Sequence, residues 1–182
     1  MIRRFLALML TAMVVLPSAP WAAVAEPEGY RMDEYRSPVP GTLRGARVIG
    51  IQEAERLWTG KTAIFLDVMP RIVKPGNLPK GTIWVDKVRR NIPGSVWLAN
   101  TGYGALTPEM ERYFHDNLTA LTGGDRSRQM VFYCMTDCWM SWNAAKRAVA
   151  SGYGAVVWFP QGADGWEAAK LPLAKALPYG AP

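Results

Sequence analysis

Histidine occurs once in these 182 residues, as His115, and cysteine only twice, as Cys134 and Cys138. One imidazole and two thiols restrict the chemistry. No Ser-His-Asp constellation can be read, and His115 falls in the middle of a helical stretch, where a surface or half-buried position is its ordinary place. Two thiolates alone make an incomplete zinc site, although copper(I) can be held by two sulfurs. No metal site is therefore assigned, and no cofactor. A phosphate-cradling glycine loop, a dinucleotide fingerprint, an arginine-rich run and zinc-finger spacing are all missing. The formal charge of +6 is mild and unpatterned. Nucleic acid is excluded as a partner on those grounds.

Long apolar runs are also scarce. The one present lies near the start: Met1-Ile2-Arg3-Arg4 is a positive flank, residues 5–16 are apolar, and Ala23-Val24-Ala25 has the small-x-small form of a cleavage site. Residues 1–25 are expected to be a secretory signal peptide. The run is short for a membrane span, so no membrane attachment is expected after cleavage. Export places the chain in an oxidising compartment, the periplasm if the source is Gram-negative. Removing Arg3 and Arg4 lowers the charge to +4.

Residues 26–45, with Pro27, Pro38 and Pro40 and no clear period, form an extended lead-in. Residues 46–177 suffice for one domain with one core. Arg47-Val48-Ile49 is a short strand, and Ile51, Ala54, Leu57 and Trp58 share a helical face after Gly50. Residues 62–68 form a nearly continuous apolar strand of the kind buried on both faces. Residues 69–90 are broken by Pro70, Pro75 and Pro79 and carry Arg71, Lys74, Lys80, Lys87, Arg89 and Arg90 against the single acid Asp86. They read as a solvated basic loop or as a rim attracting anions or acidic partners. Thr82-Ile83-Trp84-Val85 is a candidate strand within it. A turn at residues 91–95 precedes a strand at 96–98. Thr107 caps a helix with Pro108 at its first position and a buried stripe through Met110, Tyr113, Phe114, Leu118 and Leu121, ended by Gly123-Gly124. Strands follow at residues 129–133 and 155–159, with a helix from Trp139 to about Ala150 between them and weak helicity over 167–177. Strands alternating with helices predict an α/β fold with a mainly parallel sheet and helices on both faces.

In such sheets the reactive crevice lies outside the carboxyl ends of the strands. Both cysteines fall there, between the strand ending at Tyr133 and the helix opening at Trp139. Unpaired amides and the helix dipole favour a thiolate. Cys134 is the expected principal nucleophile and Cys138 its resolving partner. Met135, Thr136, Asp137, Trp139, Met140 and Ser141 are the expected substrate contacts. An exported cysteine pair can also be a structural staple, although a ring this small restricts the unfolded chain little. Asp67, at a strand end, suits either the site or a turn.

The order of landmarks resembles a rhodanese-like domain. It runs from Asp67-Val68 after an apolar strand, through Ile92-Pro93-Gly94-Ser95 and Val131 to Cys134, to Ser151-Gly152-Tyr153, Gln161-Gly162 and Trp166. The cysteine loop has no arginine of its own, and Asn91 stands where a histidine often precedes the Ile-Pro-Gly turn. Cys134, Cys138 and Trp139 with the signal sequence are similar to exported rhodanese-like proteins named for a paired-cysteine-tryptophan motif and associated with pyrroloquinoline-quinone-dependent catabolism such as alcohol oxidation. That resemblance implies sulfur-transfer or thiol–disulfide chemistry on a small sulfur-containing anion or a thiol or disulfide substrate. Its alternative is a non-catalytic accessory role, docking a periplasmic quinoprotein dehydrogenase or cytochrome c with a permanent Cys134–Cys138 disulfide.

Overall fold

The computed structural model describes residues 24–72, 74–85 and 87–180; most of the expected signal peptide therefore lies outside the described residues. A five-stranded sheet organises the chain. Its strands are β1 (Arg47–Val48), β2 (Ile64–Asp67), β4 (Val96–Trp97), β5 (Met130–Tyr133) and β6 (Val156–Trp158), in the order β1-β6-β5-β2-β4. All neighbouring pairs are parallel.

Side-chain alternation divides the core in two. On β5, Met130 and Phe132 join Leu66, Val156 and Trp158 on one face, covered by α2 (Pro108–Thr122) and α3 (Trp139–Ala150). Val131 and Tyr133 join Phe65, Val157 and Phe159 on the other, covered by α1 (Ile51–Thr59) and α4 (Gly162–Ala168). Burial on both faces explains the unbroken apolar runs of β2, β5 and β6. The expected α/β architecture is therefore present, with helices on both faces.

Local signals place the helices. The Thr107 hydroxyl accepts from Met110 N–H, and Gly123 takes the left-handed φ of 64° that ends α2. The indole N–H of Trp158 donates to Ser141 Oγ, that of Trp142 to Thr42 O, and that of Trp166 to Pro172 O, so all three fully buried tryptophans are satisfied.

Two expected elements are absent. Residues 82–85 form no strand, and Ile83 and Val85 stand 89% and 80% exposed. Instead β3 (Arg89–Asn91) pairs antiparallel with β7 (Ala174–Ala176) in a separate two-stranded sheet. The expected helix over 167–177 is displaced toward the amino end, to α4, because Pro172 cannot continue a helix and disfavours it at Leu171.

The lead-in has no helix. It lies across α3: Leu43 is 3% exposed, Trp139 N–H donates to Tyr35 O at 2.9 Å, Arg36 bridges Cys138, and the Asn143 amide bonds both backbone groups of Arg31.

Candidate active site

The carboxyl end of β5 delivers Cys134 into the crevice, and Cys138 is the N-cap of α3, with extended φ and ψ of −117° and 104°. Asp137, at φ 52°, makes the turn; aspartate is among the few side chains that tolerate this conformation. Both thiols are unbridged, with Cys134 0% and Cys138 3% exposed.

Their environments differ. Cys138 sulfur accepts the Cys134 thiol proton first of all, then backbone N–H groups of Met140, Met135 and Ser141; against the cost of burial, these hold it down at about 7. Burial pushes the Cys134 thiol well above its ordinary value, and its bond to Cys138 adds to the rise. A thiolate at a helix start, fed by loop amides, is the species that ordinary thiol chemistry requires. The groups that favour a thiolate therefore act on the sulfur at the helix N-cap, whereas the strand-end sulfur, expected as the principal nucleophile, is the more deeply buried of the two. Two thiols this strongly linked titrate as a pair, and the Cys134 thiol also has Met69 Sδ within hydrogen-bond reach at 3.5 Å.

Around the pair the chain builds a rigid frame. Asp67, fully buried at the end of β2, takes a two-pronged bond from Arg89 at 2.7 and 3.0 Å and caps Met69 N–H at 3.0 Å. Burial pushes the Asp67 carboxyl up, and the Arg89 guanidinium pulls against it. The same guanidinium donates to Cys134 O at 3.3 Å. This arginine comes from the basic segment, on β3. Tyr133 donates its hydroxyl proton to Ser95 and accepts from Ile92 N–H, tying the Ile-Pro-Gly turn to the strand beneath the cysteines. On the far side, Ala163 N–H donates to Cys134 O at 3.1 Å. Gly162 has φ 54°, and a Cβ there would lie 2.8 Å from Cys134 C and O. Only glycine lets α4 approach the turn this closely.

The expected substrate contacts divide. Met135 is half-buried and lines a cavity; Thr136 and Asp137 are exposed, with Thr136 donating to Gln161 O at 2.9 Å. Trp139, Met140 and Ser141 are buried in the core side of α3. Trp139 bonds Ser37 and lies under Arg31, and Ser141 donates to Cys138 O. Their side chains brace the helix start, and Met140 and Ser141 serve Cys138 through their backbone amides. Sequence reading missed Arg89 and Met69, whose Sδ lies 3.5 Å from Cys134 Sγ. The only sequence signal for Arg89 was the run of basic residues to which it belongs.

A cavity of about 220 Å³ ends at Met69 and Met135 and is walled by Arg71, Lys87, Arg89 and Trp97. A larger one, about 650 Å³, lies at the amino end of β2 among Trp58, Ile64 and Pro93, away from the cysteines. His115 is a half-exposed residue of α2 beside Glu111. Among the described residues, no three His, Cys, Asp or Glu side chains gather, and no helix is long and apolar enough to cross a membrane.

No protein-family model matches the chain, and no curated protein does. Among solved structures it resembles an EanB variant with two cysteines replaced by alanine, in complex with hercynine, at 23% identity and a TM-score of 0.50, over 78% of this chain and 34% of that one. A persulfide form of EanB with ergothioneine gives the same identity, score and coverage. A thiosulfate sulfurtransferase from Pseudomonas aeruginosa aligns at 14% identity and a TM-score of 0.49, over 74% and 21%. The chain thus spans about a third of the EanB length. What the EanB likeness establishes is the fold, a mostly parallel α/β sheet of rhodanese-like type.

Proposed function

We propose that the chain is an exported sulfur-handling protein that works through the Cys134–Cys138 pair, by sulfur transfer or thiol–disulfide exchange. The observation that carries this reading is the placement of two unbridged sulfurs, Cys134 after β5 and Cys138 at the N-cap of α3; loop amides there lower the Cys138 thiol. Support also comes from the fold shared with EanB, one of whose structures holds a cysteine persulfide. Export is supported by the amino-terminal residues. An accessory role in pyrroloquinoline-quinone-dependent alcohol catabolism is supported by the paired-cysteine-tryptophan pattern.

The chemistry balances as follows. Cys138 thiolate attacks the outer sulfur of a sulfane donor; a Cys138 persulfide forms and the remainder of the donor leaves with the electron pair. With a disulfide substrate, the same thiolate forms a mixed disulfide and expels one thiolate. Cys134 then attacks Cys138 sulfur, giving the Cys134–Cys138 disulfide and releasing hydrosulfide or the second thiol. The two electrons lost by the pair are gained by the substrate, and an external dithiol restores the reduced pair.

The test is intact mass after incubation with a sulfane donor or with a small neutral disulfide. Cys134→Ser should trap a persulfide or mixed disulfide on Cys138, and Cys138→Ser should trap far less. If neither variant acquires an adduct, the proposal fails. If the wild-type protein carries a bridge that dithiothreitol does not open under native conditions, the docking role with a permanent disulfide replaces it.

A further inference from the structure

The cavity at Met69 and Met135 does not stand alone. It adjoins a second, of about 480 Å³, and the two share Arg71, Lys87, Val88, Arg89 and Trp97 as walls. Together they make a groove that starts beside Met69 and Met135 and runs to Lys175 in β7 and Leu177 just after it. Met69 lies against Cys134 Sγ, and Met135 N–H faces Cys138, so the inner end of the groove stops one methionine side chain short of the buried sulfurs. A methionine side chain, with three rotatable bonds, is a movable stopper there.

Two features define what fits. Among the described residues no carboxylate lines the groove, whereas Arg71, Lys87, Arg89 and Lys175 do; Arg89 is already paired with Asp67, and Lys87 and Lys175 are exposed. Its rim also leaves aliphatic side chains in water: Ile72 is 62% exposed, Val88 64% and Leu177 86%. A small anion would meet Lys87 and Lys175 and leave the aliphatics uncovered. A bilayer surface would meet the rim and leave the concave part unfilled. An extended chain with alternating acidic and apolar side chains satisfies both. We infer that the groove from Met69 to Leu177 binds an acidic, apolar polypeptide segment that presents its own cysteine sulfur to the Cys134–Cys138 pair. This rests on the sulfur chemistry proposed above and gives it a macromolecular substrate. The exchange is balanced: a disulfide on the segment gains two electrons and two protons to become two thiols, and the pair becomes a disulfide.

The probes are the symmetric disulfide of a capped Glu-Leu-Cys-Leu-Glu peptide, its Lys-Leu-Cys-Leu-Lys counterpart, neutral 2-hydroxyethyl disulfide, and serine versions of both peptides for binding by fluorescence anisotropy. The acidic disulfide should be reduced about tenfold faster than the basic one or more, and only the acidic serine peptide should bind. Salt at about 1 M, where the screening length is about 3 Å, should erase the difference. Lys87→Glu combined with Lys175→Glu should reverse the order of the acidic and basic disulfides. Equal rates and equal binding overturn the inference while leaving the sulfur chemistry in place. Acidic binding with no exchange of any disulfide overturns the chemistry and keeps the groove as a docking site. Binding to phosphatidylglycerol vesicles in place of the peptide also overturns it.

Discussion

Replacing Cys134 by alanine removes the first-ranked of the groups that hold Cys138 near neutrality, and nothing else that touches that sulfur. A hydrogen bond to a charged group contributes about 1.5–3 kcal/mol, and each pKa unit corresponds to about 1.4 kcal/mol. The cavity left by one sulfur gives back part of that, because water can partly replace the thiol. The expected net effect is a rise of roughly one to two units from about 7 for Cys138 in Cys134→Ala. The sign follows from the chemistry: the thiolate reacts, so alkylation accelerates as pH rises through its midpoint, and loss of a donor moves that midpoint upward. Cys134→Ser keeps a hydroxyl donor and should move it less. The assay is the pH dependence of iodoacetamide incorporation at Cys138, read by peptide mass and checked by ultraviolet thiolate absorbance. A midpoint still near 7 in Cys134→Ala would show that the backbone amides alone hold the charge. The shared proton would then have no part in the mechanism.

Asp67→Asn leaves Arg89 largely buried beside Cys134 with its charge unanswered; its side chain is 12% exposed. The protein should lose about 3 kcal/mol, seen as a lower denaturant midpoint with an unchanged slope. Gly162→Ala puts a methyl 2.8 Å from the Cys134 carbonyl at a φ of 54°. It should cost about 2 kcal/mol in thermal unfolding and loosen the cysteine turn enough to alter the alkylation rate of Cys138. An unaffected melting temperature would mean that α4 can withdraw from the turn at little cost.

The fold was legible because its signals are local. The Thr107 cap with Pro108, the glycine pair after α2 and the apolar runs of β2 and β5 each follow from a few adjacent residues. The position of the cysteines at the strand end followed from the same patterns. What failed depended on partners distant in sequence. Arg89 finds Asp67 across 22 residues of irregular chain, and β3 finds β7 across more than 80. Thr82-Ile83-Trp84-Val85 has strand composition but forms no strand. The unequal surroundings of the two sulfurs have the same origin. Proximity to a helix start was read from the sequence for both, but which sulfur the amides face depends on the backbone turn at Asp137 and on the approach of α4 through Gly162.

Limited alkylation tests the account most directly. The reduced native protein is treated at neutral pH with less than one equivalent of iodoacetamide, digested and mapped. The account predicts the label on Cys138, with Cys134 modified only after unfolding. A label that enters Cys134 first, or that enters both only after unfolding, would contradict it.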